Sequence, residues 1–357
     1  MSRIVINGKF LGSDLNGVHR TAAEYAFELI RRMGQDHEIR LVAPRETEPH
    51  PDFPQLRPEV HPGRFGSGQG WEMLTLPGLA RNALLVNFCN LGPLLHSNSL
   101  VMIHDAQTFL YPADYSGRQA TAYRALLPWI ARRSRRVLTV SDFSRHSLAG
   151  HGVGHVGKID VVHNGTDHIL RTPAEPGILN RHGVAPKSYV MVVGSAKGYK
   201  NIRRVFEAMS PQPPGGLRLV VAGGPGPERY LKAGWQPPHG TVFTGFVTDG
   251  ELRALYENAC LFAFPSQTEG FGLPPVEAMH CGTPVIAASS GAMPEVCDDG
   301  ALLIDPEDTE AWRAAITHLA QDGQAARDLA SRGSARAAKL TWNIAGQRLC
   351  DVLRPLL

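Results

Sequence analysis

The sequence predicts an α/β protein made of two doubly wound, parallel-sheet domains in tandem, and three observations carry that prediction. Short apolar runs rich in Val and Ile recur along the chain without inside-outside alternation, separated by stretches of helical spacing, as expected of strands covered on both faces by helices. The 357 residues exceed one ordinary core at roughly 100 to 200 residues per domain and suit two. A breaker-rich segment, RTPAEPG at 171–177, splits the series near its middle.

The first run, RIVIN at 3–7, leads into a glycine-containing loop, GSDLNGV at 12–18. Residues 21–33 follow as a helix, with Ala22, Ala26, Leu29 and Ile30 on one face and Glu24, Glu28, Arg31 and Arg32 off it. Strand signals recur in IRLVAP (39–44), ALLVNF (83–88), SLVMIHD (99–105), RVLTVS (136–141) and IDVVHNG (159–165). Beyond the breakers they are SYVMVVG (188–194), LRLVVAGG (217–224), TVFTGF (241–246), CLFAFPS (260–266), TPVIAAS (283–289) and ALLIDP (301–306). From residue 309 onward the pattern is helical and amphipathic. The expected domains are 1–172, 173–338, and a final helix over 339–357 that returns to the N-terminal domain. Open parallel sheets bind ligands at the carboxyl ends of their strands, here in the central cleft that two facing domains would form. GGPGPE at 223–228 hints at a dinucleotide loop but lacks the third glycine and carries two prolines, so it reads as a strand-to-helix turn.

Lys plus Arg number 36 and Asp plus Glu 33, a net charge of +3, too weak for a dedicated nucleic-acid binder. The excess lies in residues 1–170, where Arg132, Arg133, Arg135 and Arg136 follow the apolar ALLPWIA. This cluster reads in two ways. A solvated helix end, stabilised by arginine through the helix dipole, is the simpler; the other is a peripheral contact of the N-terminal domain with an anionic membrane. The cysteines, Cys89, Cys260, Cys281, Cys297 and Cys350, are scattered with no C-x-x-C spacing, which argues against a disulfide framework or a structural zinc. Cys281 and Cys297 read as small buried hydrophobes. With reduced thiols, no leader at Met1 and no apolar run near ~18 residues, the expected location is cytoplasmic.

The most informative stretch is CLFAFPSQTEGFGLPPVEAMHCGTPVIAAS at 260–289. A buried strand delivers a short loop whose Gly270 and Gly272 allow close backbone approach. Pro274 and Pro275 open a helix, and Gly282 closes it. A helix N-terminus at a strand's carboxyl end is an anion site suited to phosphate. Glu269 and Glu277 beside it would repel phosphate, so they suit neutral hydroxyls; a carboxylate accepts two hydrogen bonds side by side, as a vicinal diol offers. One glutamate for a ribose and the other for a sugar ring is the simple assignment.

The two glutamates in EGFGLPPVE, followed by AMHCGTPVIA, resemble the signature of retaining glycosyltransferase family 4, of the GT-B fold with two Rossmann-like domains. The resemblance extends over nearly the whole chain: NGKFLGSDLNGVHRTAAEYAFEL, MIHDAQTFLYP, TVSDFSRHSL, VVHNGTD, VVGSAKGYKNIRRVFEAM and TGFVTDGELRALYENACLFAFPS occur in the family's order. It implies transfer of a sugar from a nucleotide-sugar donor to a glycan or polyprenyl-linked acceptor, with retention and with no metal or cofactor. The implied setting is bacterial cell-surface polysaccharide assembly, with a mannose-type donor such as GDP-mannose. By the resemblance, Glu277 binds the nucleotide ribose and Glu269 the transferred sugar. Lys200 holds the diphosphate within a segment that includes Gly194, Ser195 and Lys197. The backbone at Phe271, Gly272 and Leu273 completes that cradle, and Gly17 approaches it from the N-terminal domain. His104 stands beside sugar and acceptor, and Val247 near the base. Family members often carry arginine just before the lysine or just after the glycine. Here those positions are Tyr199 and Ser195, and the nearby second cation is Lys197, a point charge without arginine's bidentate fork.

As the glycosidic bond breaks, positive charge grows on the sugar and negative charge on the diphosphate, so both ends need preorganised partners. The family motif places no carboxylate as a nucleophile facing an acid, the arrangement of retaining hydrolases; the resemblance implies front-side attack, a leaving phosphate oxygen taking the acceptor's proton. Two rival classes share the fold: a nucleotide-sugar epimerase or phosphorylase, and a non-catalytic carbohydrate-binding protein. Taken singly, Glu269, Glu277 and Lys200 would read as ordinary surface residues and His104 as a hydrogen-bonded core histidine; the ordered motifs are what assign them function.

Overall fold

In β1 (Arg3–Asn7) the run Ile4, Val5, Ile6 is buried on both faces, which only a central strand between helix layers can achieve. The computed structural model describes residues 1–13, 17–48, 50–64 and 66–357. Residues Asp14, Leu15 and Asn16 of the expected GSDLNGV loop lie outside the described residues. The chain divides into two units, Met1–Gly165 with Trp342–Leu357, and Thr166–Thr341.

The first unit holds β1 with β2 (Glu38–Ala43), β3 (Glu59–Val60), β4 (Leu84–Asn87), β5 (Ser99–Met102), β6 (Arg136–Thr139) and β7 (Ile159–Val161). They form one parallel sheet in the order β3-β2-β1-β4-β5-β6-β7. β3, two exposed residues long, leaves no apolar run to find in the sequence. The second unit holds β8 (Tyr189–Val193), β9 (Arg218–Ala222), β10 (Val242–Phe243), β11 (Leu261–Phe264), β12 (Val285–Ala288) and β13 (Leu302–Ile304), in the order β10-β9-β8-β11-β12-β13, again all parallel. In each sheet the order reverses beside the first strand, at β1/β4 and at β8/β11, where α/β sheets open a crevice at the strands' carboxyl ends.

The division falls at Gly165/Thr166 and Thr341/Trp342, against the 172/173 and 338/339 expected from the sequence. The 3-10 turn Asp167–Leu170 is held by the second unit: the Thr166 N–H donates to Leu340 O at 3.0 Å, and His168 pairs with Glu277. Breaker residues mark where a chain can bend; packing decides where a unit ends.

The helix Trp342–Leu353 packs in the first unit, with Trp342 edge-on to Tyr25 at 5.3 Å between centroids. It covers the helix Gly17–Met33 on the side assigned to polar residues, so Glu24 and Glu28 are 0% and 5% exposed. Arg31 and Arg32 hold the Glu28 carboxylate at 2.7 and 2.8 Å. A Cβ at Gly346 would stand 2.6 Å from Glu28 Oε2, so this crossing requires glycine. Gly223 and Gly224, both at positive φ, turn β9 into the helix Pro227–Lys232, the strand-to-helix turn expected of GGPGPE.

Candidate active site

Most of the sequence-nominated residues gather at the carboxyl ends of β8 and β11 in the second unit. Gly194 follows β8, and a Cβ there would stand 2.3 Å from Gly223 O; a Cβ at Gly224 would meet Gly194 C at 2.6 Å. The loops leaving β8 and β9 therefore touch backbone to backbone, and glycine is required on both sides. The β8 loop runs through Ser195, whose hydroxyl accepts from the Lys197 N–H, into the 3-10 turn Gly198–Lys200.

Asn201 ends this turn with φ +51°, a left-handed conformation that asparagine tolerates better than most residues. Its buried amide donates to Pro265 O at 3.2 Å and Pro306 O at 2.9 Å. The Gln267 N–H donates to Tyr199 O at 2.8 Å. These bonds tie the lysine loop to the loop after β11. Lys200 Nζ lies 2.7 Å from Glu269 Oε1, with the rings of Tyr199 and Phe264 at 5.5 and 5.6 Å from it, and Lys197 Nζ lies 5.7 Å from the Tyr199 centroid. A cavity of about 260 Å³ opens here, lined by Gly194, Ser195, Lys197, Lys200, Ser266 and Pro274 among others.

Glu269 is braced from behind. Its carbonyl accepts from the Ala292 N–H at 3.2 Å, and a Cβ at Gly291 would stand 2.7 Å from its nitrogen. Phe271 is buried, and Gly272, at φ +83°, caps the helix Leu273–His280 with Pro274 in its first turn. The helix closes as expected at Gly282: the Gly282 N–H donates to Met279 O and the Thr283 N–H to Ala278 O, the Schellman pattern.

Glu277, 7% exposed on this helix, has both oxygens engaged. Tyr256 Oη donates to Oε2 at 3.2 Å, and His168 Nε2 lies 3.2 Å from Oε1. Burial pushes the Tyr256 phenol well above its ordinary value, with the neighbouring Glu277 charge acting in the same direction, so the hydroxyl stays a donor. Each carboxylate oxygen keeps a further lone pair, and the group is oriented before any ligand arrives. Val247 follows the turn after β10, between Phe246, 90% exposed, and Thr248, which caps the helix Asp249–Asn258.

Gly17 and His104 belong to the first unit. Gly17 is the exposed first residue of its helix. His104 is 6% exposed beyond β5, its Nε2 donating to Phe88 O at 2.8 Å and its own N–H to Asn90 Oδ1 at 2.9 Å. Burial lowers its imidazole to about 4, so the ring is neutral at pH 7 with Nδ1 as acceptor. At the β1/β4 crevice Asn7 donates to Glu72 Oε1 at 2.8 Å and Asn87 Oδ1 at 3.1 Å, and Lys9 pairs with Glu72. Cys297 is buried as expected, whereas Cys281 is only half-buried; burial raises both thiols to about 12, which keeps them protonated.

Sequence reasoning missed Asn201, Tyr256 and His168. Asn201 stands before an apolar helix start, where an asparagine is legible as a cap, but its side chain makes no cap bond and its amide reaches carbonyls of distant loops instead. The partners of Glu277 come from other elements and leave no local signal.

Two family models divide the chain: "Glycosyltransferase Family 4" matches residues 15–169 and "Glycosyl transferases group 1" residues 180–336. The O-antigen chain mannosyltransferase B of Escherichia coli is 30% identical over 260 residues, 68% of this chain and 67% of that protein. The O-antigen chain mannosyltransferase RfbU of Salmonella typhimurium is 30% identical over 235 residues, 64% of this chain and 62% of that protein. Among solved structures, Anabaena HepE in complex with UDP and glucose superposes with a TM-score of 0.74 at 20% identity, over 99% of this chain and 100% of that one. With both parallel-sheet units so matched, the chain belongs to the group 1, family 4 glycosyltransferases and has the GT-B fold.

Proposed function

We propose that the protein is a retaining, metal-independent hexosyltransferase that moves a sugar, mannose in our reading, from a nucleoside-diphosphate donor to a glycan or polyprenyl-linked glycan acceptor. The observation that carries this is the Lys200–Glu269 contact at 2.7 Å, beside the start of the Leu273–His280 helix. Scission of the donor separates charge, and this pair offers a cation for the departing diphosphate and an anion for the sugar ring. Because both groups are already held by their loops, the stabilisation costs little reorganisation at the moment of reaction. The helix N-terminus adds donors for the diphosphate, so positive charge is available there from the protein itself. Glu277, oriented by Tyr256 and His168, suits the ribose diol. His104, neutral through burial, suits a hydrogen bond to a hydroxyl better than charge stabilisation.

The mannose assignment leans on the two relatives named as O-antigen mannosyltransferases. The reading places the reaction in the cytoplasm, where the five free cysteines would stay reduced. Among the described residues no helix is long and apolar enough to cross a membrane.

The test incubates the protein with GDP-mannose, UDP-glucose and related donors and a lipid-linked glycan acceptor, following nucleotide release and the anomeric configuration of the product by NMR. The reading expects GDP-mannose turnover that requires acceptor, gives the retained anomer and persists in EDTA. Conversion of donor without acceptor, or an inverted product, would overturn it.

A further inference from the structure

We propose that Glu307, which lies outside the cavity at Lys200 and Glu269, is a positioning residue that fixes the placement of those two groups. The inference rests on the reading of that pair as the partner of the separating charges. Glu307 stands in the loop after β13, and its two carboxylate oxygens hold two different segments. Oε2 accepts from Arg204 Nη2 at 2.7 Å, and Oε1 accepts from Gln267 Nε2 at 2.5 Å. Arg204 comes four residues after Lys200, and Gln267 two residues before Glu269. One side chain thus joins the segment that carries the cation to the segment that carries the anion.

The bridge is firm on both sides. Arg204 is 8% exposed on the helix Ile202–Ala208, and its guanidinium also donates to Pro306 O at 2.9 Å, to Glu207 Oε2 at 2.9 Å and to the Thr309 hydroxyl. Pro306 O accepts from the Asn201 amide as well, so the left-handed residue that directly follows Lys200 is held by the same loop. Gln267 is bound through its side chain to Glu307 and through its N–H to Tyr199 O.

Stability alone does not account for this arrangement. The Glu307 side chain is 57% exposed, where an ion pair contributes little, and without it Glu207 would still pair with Arg204. Arg204, Gln267 and Glu307 lie outside the cavity lining, so none of them takes up a ligand's place there. What the carboxylate supplies is geometry: a cation and an anion that serve opposite ends of one breaking bond lose rate steeply when displaced by about 1 Å.

The test compares Glu307→Ala, Gln267→Leu and their double variant with the wild type, using the full chain, GDP-mannose and UDP-glucose as donors, and a lipid-linked glycan acceptor. Single-turnover transfer by Glu307→Ala is expected to fall about tenfold, while its donor Kd by calorimetry stays within about twofold and its melting temperature stays close to that of the wild type. Gln267→Leu should slow transfer similarly. The double variant should be no slower than Glu307→Ala, because both changes cut one bridge. In a Lys200→Met background, Glu307→Ala should add no further loss. Wild-type transfer by Lys200→Met would defeat the charge-pair reading itself. Slow transfer by Lys200→Met with wild-type transfer by Glu307→Ala would overturn the positioning role alone. So would losses that multiply in either combination, or a Glu307→Ala effect carried by donor Kd or by a lowered melting temperature.

Discussion

Replacing Lys200 with Met while Glu269 stays in place removes one half of a contact at 2.7 Å between side chains that are 26% and 12% exposed. At that separation the attraction ranges from about 1.5 kcal/mol in bulk water to about 6 kcal/mol at an effective dielectric of 20. Desolvation and the exposure of the lysine offset much of this, leaving a stability loss of about 1–2 kcal/mol in Lys200→Met. Adding Glu269→Gln removes the orphaned charge and should restore most of that loss. Transfer behaves differently if the pair stabilises separating charges: Lys200→Met should lose on the order of 100-fold in turnover, and the double variant should recover none of it. Thermal unfolding and single-turnover sugar transfer, measured on the wild type and the three variants of the cycle, separate the two effects. Recovery of both stability and rate in the double variant would refute the reasoning, because the pair would then be a structural clip.

Tyr256→Phe deletes the hydroxyl that donates to Glu277 Oε2 at 3.2 Å in a buried setting. It should cost about 1–2 kcal/mol of stability and weaken nucleotide binding several-fold by calorimetry; an unchanged Kd would show that Glu277 needs no such orientation. His104 predicts a pH dependence. Burial lowers its imidazole from 6.5 to about 4, so the unfolded chain takes up the proton first. Its contribution is complete above about pH 6.5 and is lost as the pH falls toward about 4, up to about 3 kcal/mol. In His104→Gln the decline of thermal stability over that range should be shallower, and identical slopes in the two proteins would contradict the assigned burial cost.

Much of the architecture is legible along the chain because parallel strands covered on both faces must be apolar throughout. Val190 to Val192 and Leu261 to Phe264 stand out for that reason. Glu59–Val60 does not, because a two-residue exposed edge strand needs no apolar run. Glu28 misleads for the opposite reason: local periodicity sets it off the apolar face, yet a distant helix buries it and supplies Gly346 to make room. At the site, glycine, proline and glutamate spacing is readable because backbone turns and helix caps are local events, so Gly272, Pro274 and Gly282 sit as their residue types require.

By itself the sequence determined which residues carry charge and hydroxyl-binding capacity, where strands end, and where a helix begins. Tertiary structure alone decided that Lys200 meets Glu269, that Tyr256 and His168 hold Glu277, and that His104 is neutral. The reason is one of range. Capping and turn preferences act between near neighbours in the chain, whereas pairing, desolvation and orientation depend on groups that only folding brings together.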